Sequence, residues 1–299
     1  MPQSLLAPED FARLRELRAA HPAGIRESLT GRRRRDVLQG DGRLFIVAAD
    51  HPARGALAVG QNPTAMADRY ELLNRLAIAL SRPGVDGVLG TPDIIDDLAG
   101  LGLLDDKLIV GSMNRGGLRG ASFEMDDRMT GYDVPAMVAA GIDVAKTLVR
   151  INLSDAGTAS TLTAMAEAVT QASAADLPIM LEPFLSTWRD GHIVNDLSTD
   201  AVILSIAIAS GLGASSAHTW MKLPVVEDME RVMAATTMPT LLLGGDPGVD
   251  PDETFSSWED ALSLPGVRGL TVGRTLLYPP DGNVAAAVDI AAGLVHTGL

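Results

Sequence analysis

The sequence predicts an α/β fold, a (β/α)8 TIM barrel behind an N-terminal helical extension. Three observations carry this. Short apolar runs recur eight times, alanine-rich stretches with helical apolar spacing separate them, and 299 residues suit one barrel of about 250 residues plus an extension. Nearly continuous apolar strands alternating with helices also imply a parallel sheet covered on its outer face.

Taken in order, the runs are LFIVAAD (44–50), DGVLG (86–90), LIVGSMN (108–114), VAKTLVRI (144–151), PIMLEPF (178–184), TWMKLPV (219–225), PTLLLGG (239–245) and GLTVGR (269–274). Between them lie amphipathic segments such as ASTLTAMAEAVTQASAAD and VVEDMERVMAAT. No linker, low-complexity segment or repeat beyond the β/α unit is visible. The expectation is a single domain, with 1–43 as the extension and 44–299 as the barrel. Residues 8–40 read as one or two helices that close the barrel bottom. They include four consecutive arginines, Arg32 to Arg35. With a net charge of -14, that run reads as a solvated helix face or a set of surface ion pairs, not as a nucleic-acid contact.

The same charge argues against binding nucleic acid, which demands a basic face, and against docking on an anionic membrane. The absence of cysteine removes disulfides, thiolate metal sites and thiol nucleophiles. The first residues carry acids and no long apolar core, so no secretion signal is expected, and no apolar run reaches the ~20 residues of a membrane helix. A cytoplasmic enzyme is the expectation.

Barrel active sites form at the C-terminal ends of the strands. The polar residues there are Asp50 and His51 after strand 1, Asn114 and Arg115 after strand 3, Lys146 and Arg150 on strand 4, and Glu182 on strand 5. Lys222 lies on strand 6, Gly244, Gly245 and Asp246 close strand 7, and Gly273 and Arg274 close strand 8. The chain has three lysines, and only Lys107 reads as an ordinary surface residue. A lone strand lysine can bury its stem and extend its amine to solvent. If Lys146 and Lys222 both face inward, however, two ammonium groups converge in a poorly hydrated core, and one loses its proton near neutral pH. A neutral amine is what Schiff-base chemistry requires. Glu182 and Asp50 then supply the proton transfers, or merely neutralise the lysines. The glycines after strands 7 and 8, with Arg274, form an anion site or ordinary turns; together they favour a phosphorylated substrate.

FIVAADHPARGAL, GIDVAKTLVRIN, PIMLEPF, WMKLPV and LTVGRTL occur in an order that resembles the barrel-type class I (Schiff-base) aldolases, particularly the tagatose-bisphosphate, sulfofructose-phosphate and deoxyribose-phosphate aldolases. The likeness spans roughly residues 44–276. It implies Lys222 as the imine-forming residue, Lys146 as a supporting lysine, Glu182 as acid/base and Asp50 as the carboxylate orienting substrate. Gly245, Gly273 and Arg274 would hold the phosphate. Beside what the resemblance implies, the strand-end positions make Gly244, His51 and Arg150 further expected substrate or phosphate contacts. No cofactor and no metal are implied, and the partner is a small phosphorylated sugar. Barrels of this kind often form homo-oligomers. Two features depart from the pattern: His51-Pro52 follows the aspartate, and Phe184 and Trp188 stand where some relatives place a strand 5 tyrosine.

The sequence leaves three other readings open. A metal-dependent aldolase needs converging histidines; of five, His21 and His296 lie outside the strands and His218 falls about 13 Å below Lys222. A lysine-dependent isomerase, dehydratase or decarboxylase shares the imine step. A non-catalytic sugar-phosphate-binding barrel would keep ligand affinity without Lys222.

Overall fold

The computed structural model describes residues 4–245 and 251–296. In chain order it comprises α1 (Pro8–Ala20), α2 (Ala23–Gly31), β1 (Leu44–Ala48), a 3-10 turn (His51–Arg54), α3 (Arg69–Leu80), β2 (Gly87–Gly90), α4 (Pro92–Gly100), β3 (Leu108–Ser112) and α5 (Val134–Ala140). Then come β4 (Val144–Ile151), α6 (Gly157–Ala174), β5 (Ile179–Arg189), β6 (His192–Asn195), α7 (Thr199–Ser210), β7 (Thr219–Pro224) and α8 (Met229–Ala234). The chain continues through β8 (Thr240–Leu243), α9 (Pro251–Leu262), β9 (Val267–Val272), α10 (Arg274–Leu277) and α11 (Val284–Val295).

All eight predicted strands form, each within two residues of its expected start. They run parallel in the order β4-β3-β2-β1-β9-β8-β7-β5, and β4 pairs with β5 to close the barrel. Two apolar layers result. Leu44, Ile46, Leu89, Leu108, Val110, Val144, Met180 and Leu241 fill the interior, each from one face of its strand. Their neighbours, such as Phe45, Val47, Ile109, Ala145 and Leu181, join the larger core between sheet and helices. This period of two places Lys146 two residues above Val144, Glu182 two above Met180, and Asp50 two above Ala48. Side-chain caps begin several helices: Asp68 accepts from Tyr70 and Glu71, Asp133 from Ala136, and Ser198 from Ala201.

β6 was not expected. The fifth strand does not stop at the rim; it runs on to Arg189 and pairs antiparallel with β6 through Asp190-Gly191, both at positive φ. An Asp-Gly pair with that backbone is a tight hairpin turn.

The extension also differs from expectation. α1 and α2 pack on the outside of the barrel, against α4 and α5. The bottom is covered by the extended segment after α2, whose Val37 joins the interior cluster. The arginine run lies on that segment, not on a helix face. Arg32 and Arg34 both pair with Asp143, at 2.8 and 2.7 Å; Arg33 pairs with Asp105 and Asp106, and Arg35 with Asp86. Ion pairing was the expectation, but Arg32 and Asp143 are both buried, so part of the set is internal. Asp86 and Asp143 precede β2 and β4 and also accept backbone N–H groups of Phe45 and Ile109. The run therefore fastens an arm to the strand beginnings. Lys107 is half-buried and donates to the Val85 carbonyl, so it is not the plain surface lysine expected.

Candidate active site

Four of the sequence-derived residues converge inside the upper barrel. Lys146 Nζ lies 2.8 Å from Asp50 Oδ2 and 2.7 Å from Glu182 Oε2. Lys222 Nζ lies 3.0 Å from that same Glu182 oxygen. Both lysines and Glu182 are buried, and Asp50 nearly so. Register explains the meeting. Met180 pairs with Trp220, which sets Glu182 and Lys222 side by side two residues on. Lys146 pairs with Met180, one inward step below, and its long side chain reaches up to Glu182, while Asp50 reaches Lys146 from the end of β1.

The electrostatics separate the two amines. Burial disfavours the charge on Lys146, but Asp50 and Glu182 outweigh it and hold the pKa above the ordinary lysine value. For Lys222 burial dominates; Glu182 opposes it, Lys146 adds repulsion, and the pKa falls below the ordinary value. Burial raises both carboxylates, yet the two ammonium groups prevail: Asp50 lies well below the usual carboxylate range and Glu182 is lowered too. The cluster is thus two carboxylates, one firmly charged lysine and one amine biased towards neutrality.

His51 follows directly. Burial pushes its pKa down to about 3, so the ring is neutral at ordinary pH. Its Nδ1 is 3.6 Å from Asp50 Oδ1, too far to bond, and has no hydrogen-bond partner. The other histidines sit elsewhere: His192 is on the β5–β6 hairpin, His218 is 3.6 Å from Asp176 below β7, and His296 pairs with Asp41 and Asp86.

The glycines after β8 and β9 occupy the expected rim. A Cβ on Gly244 would meet Val272 at 2.4 Å, and one on Gly273 would meet the Ala48 carbonyl oxygen at 2.5 Å, so close packing alone requires both. Gly245 has φ +71 and open space around it. Arg274 begins α10 beside them, and Asp246 lies outside the described residues.

Arg150 also points to the mouth, two layers above Lys146, but it is already engaged: one Nη donates to Glu124 at 2.7 Å. Glu124 belongs to the long β3–α5 loop, which sequence reading passed over. That loop folds down on the strand 4 residues. Asn114 accepts from Leu148 N–H and donates to the Leu148 carbonyl and to Asp127, while Gly116 and Gly117, both at positive φ, lie against Leu148 and Arg150. Side chains at either glycine would collide, which is why Gly-Gly follows Asn114-Arg115. The Asn-Arg-Gly-Gly sequence was the available signal. Of the aromatic pair on β5, Phe184 is buried and Trp188 donates its ring N–H to Asp155 at 2.6 Å.

A sequence model of the Cgl0159-like family matches residues 42–292. The chain belongs to this family. The crystal structure of Cgl0159 from Corynebacterium glutamicum superposes with a TM-score of 0.97 at 73% identity, covering 99% of this chain and 100% of that one. More distantly, this Cgl0159-like protein shares its fold with an archaeal fructose 1,6-bisphosphate aldolase, at TM-score 0.63 and 18% identity over 91% of this chain and 98% of the other. An archaeal fructose-1,6-bisphosphate aldolase whose catalytic lysine is covalently bound to the carbinolamine of its substrate gives 0.62 and 20%, over 91% and 99%. At such identities the likeness is one of fold, and it agrees with the Schiff-base aldolase resemblance of the motifs. Among curated enzymes, the 2-amino-3,7-dideoxy-D-threo-hept-6-ulosonate synthase of Halobacterium salinarum is 27% identical over 185 residues, 59% of this chain. The match spans 66% of that enzyme's length. No helix among the described residues is long and apolar enough to cross a membrane.

Proposed function

We propose that this Cgl0159-like protein is a class I aldolase that makes or breaks a carbon–carbon bond in a phosphorylated ketose through an imine on Lys222. One observation carries the reading: two buried lysines share a single Glu182 oxygen, and their pKa values are driven in opposite directions. Lys222, biased to the neutral amine by burial and then by the repulsion of Lys146, is the nucleophile, and Lys146 is the lysine that stays charged.

In the cleavage direction the Lys222 amine adds to the substrate carbonyl, forming the N–C bond. Glu182, 3.0 Å from that amine, carries one amine proton to the carbonyl oxygen, and with a second proton taken up from solvent that oxygen leaves as water while the nitrogen keeps its other proton. The resulting iminium draws the electron pair of the adjacent carbon–carbon bond as the Glu182 carboxylate takes the proton of the substrate hydroxyl. An aldehyde departs, the enamine carbon is reprotonated, and water returns to free the ketone and the amine. Asp50, anchored on Lys146, orients the substrate hydroxyls, and neutral His51 offers its unbonded Nδ1 to the same groups. The backbone at Gly244, Gly245 and Gly273 together with Arg274 would hold the phosphate. Condensation is the same sequence reversed.

Incubation with ketose phosphates should release an aldehyde that a coupled dehydrogenase detects. Lys222→Met should abolish the release and chelator treatment should leave it intact. Substrate turnover without aldehyde would favour an isomerase or dehydratase using the same imine, and loss of activity with chelator would favour a metal-dependent enzyme.

A further inference from the structure

Thr271 carries a buried hydroxyl that the aldolase reading leaves unused. The residue is 1% exposed, and its Oγ1 makes no hydrogen bond among the described residues. Its neighbours Leu270 and Val272 belong to the core between sheet and helices, so the Thr271 side chain faces the barrel interior. Thr147 and Thr219 also hold unbonded hydroxyls, but alternation with the inward Lys146 and Trp220 turns both of them outwards.

Strand pairing places the Thr271 hydroxyl at the level of the two lysines. Barrel strands tilt, and each interior layer takes four side chains from alternate strands. Lys146 pairs with Met180 and Met180 with Trp220, two residues before Lys222, so a layer advances two residues for every two strands. The same step from Lys222 runs through Leu241 to Gly269 and ends two residues on, at Thr271. From Thr271 it runs through Ile46 to Gly87 and reaches Leu89. From Leu89 it runs through Val110 to Val144 and returns to Lys146. The layer thus closes on itself as Lys146, Lys222, Thr271 and Leu89. Beneath it stand Met180, Leu241, Ile46 and Val110, all apolar. Within the layer the polar companions of Thr271 are the two amines. The next inward residue of β9 is Gly273, so this strand puts no side chain between the hydroxyl and the rim.

We infer that Thr271 is a further catalytic residue, whose hydroxyl donates a hydrogen bond to the substrate carbonyl oxygen as Lys222 attacks the carbonyl carbon. The inference rests on the aldolase reading, which seats the phosphate at Gly245, Gly273 and Arg274 and the carbonyl carbon on Lys222; a substrate so placed passes over Thr271. As the N–C bond forms, the carbonyl π pair moves onto oxygen. The Thr271 O–H stabilises that charge and keeps its own proton, while the protons that turn the oxygen into water come through Glu182 and from solvent. A donor fixed in a poorly hydrated site acts most strongly where charge develops.

Rapid-quench borohydride trapping of the intact protein with dihydroxyacetone phosphate tests the assignment. Thr271→Val keeps the side-chain shape and removes the hydroxyl. Its Lys222 peptide should gain mass about tenfold to 100-fold more slowly than that of the wild type, with calorimetric affinity for dihydroxyacetone phosphate changed by less than about twofold. Thr271→Ser should bring the rate back to within about threefold of the wild type. Trapping of Thr271→Val at the wild-type rate, or of Thr271→Ser as slowly as Thr271→Val, would overturn the assignment. So would a loss of rate that saturating dihydroxyacetone phosphate corrects, because a packing or binding role changes affinity and leaves the rate of attack alone. A wild type that forms no Lys222 adduct would instead overturn the aldolase reading, and the assignment with it.

Discussion

Burial does most to hold the Lys222 pKa below the ordinary lysine value, and replacing Lys146 with methionine should raise it by removing the repulsion that adds to burial. Both Nζ atoms lie within 3.0 Å of one Glu182 oxygen, so two ammonium charges there would stand ~5 Å apart. At an effective dielectric constant of ~20 their repulsion is about 3 kcal/mol, roughly two orders of magnitude in the ratio of charged to neutral amine. Lys146→Met removes this repulsion and leaves two carboxylates, Asp50 and Glu182, with Lys222 as the nearest cation. The chain has three lysines, so selective isotope labelling at lysine Cε gives three NMR signals whose titrations can be followed separately. In the wild type the Lys222 signal should titrate below the ordinary lysine range and the Lys146 signal above it. In the variant the Lys222 midpoint should move upwards, with activity at neutral pH falling about 100-fold and recovering towards alkaline pH. A Lys222 midpoint that does not move would refute the idea that Lys146 helps to lower the pKa of this amine.

Three further outcomes are expected. Asp143→Ala should cost about 3–5 kcal/mol in chemical denaturation, because it strands the buried Arg32, whereas Arg34→Ala, whose side chain is 53% exposed, should cost under ~1 kcal/mol. Hydrogen bonds to Asp86 and then Asp41 raise the His296 pKa above 6.5 against its burial, so its contribution to stability is complete below pH 6.5 and is lost as pH rises through the folded pKa. Thermal midpoints should therefore fall over that window in the wild type, and His296→Gln should flatten the slope. Gly273→Ala must displace the Ala48 carbonyl, two residues before Asp50, and should lower kcat/KM at least about tenfold while costing about 1–3 kcal/mol in unfolding.

The legibility of the sequence followed the range of each interaction. Strand runs and their inward lysines depend on a period of two, which five to eight residues display, so the barrel and the meeting of Lys146, Glu182 and Lys222 could be read locally. The β5–β6 hairpin was also written in the chain, as Asp190-Gly191 between Trp188-Arg189 and His192-Ile193, but an apolar strand ending at the rim masked its polar continuation. The arginine run could not be placed, because its partners Asp86 and Asp143 lie more than 50 residues away. Arg150 was picked out as a substrate contact from its strand position, and only the folded loop reveals that Glu124 already holds one of its nitrogens.

Borohydride reduction in the presence of dihydroxyacetone phosphate, followed by peptide mass mapping, is the most direct test of the central claim. The added mass should appear on the peptide containing Lys222. Modification of the Lys146 peptide instead, or of neither under conditions where substrate turns over, would contradict it.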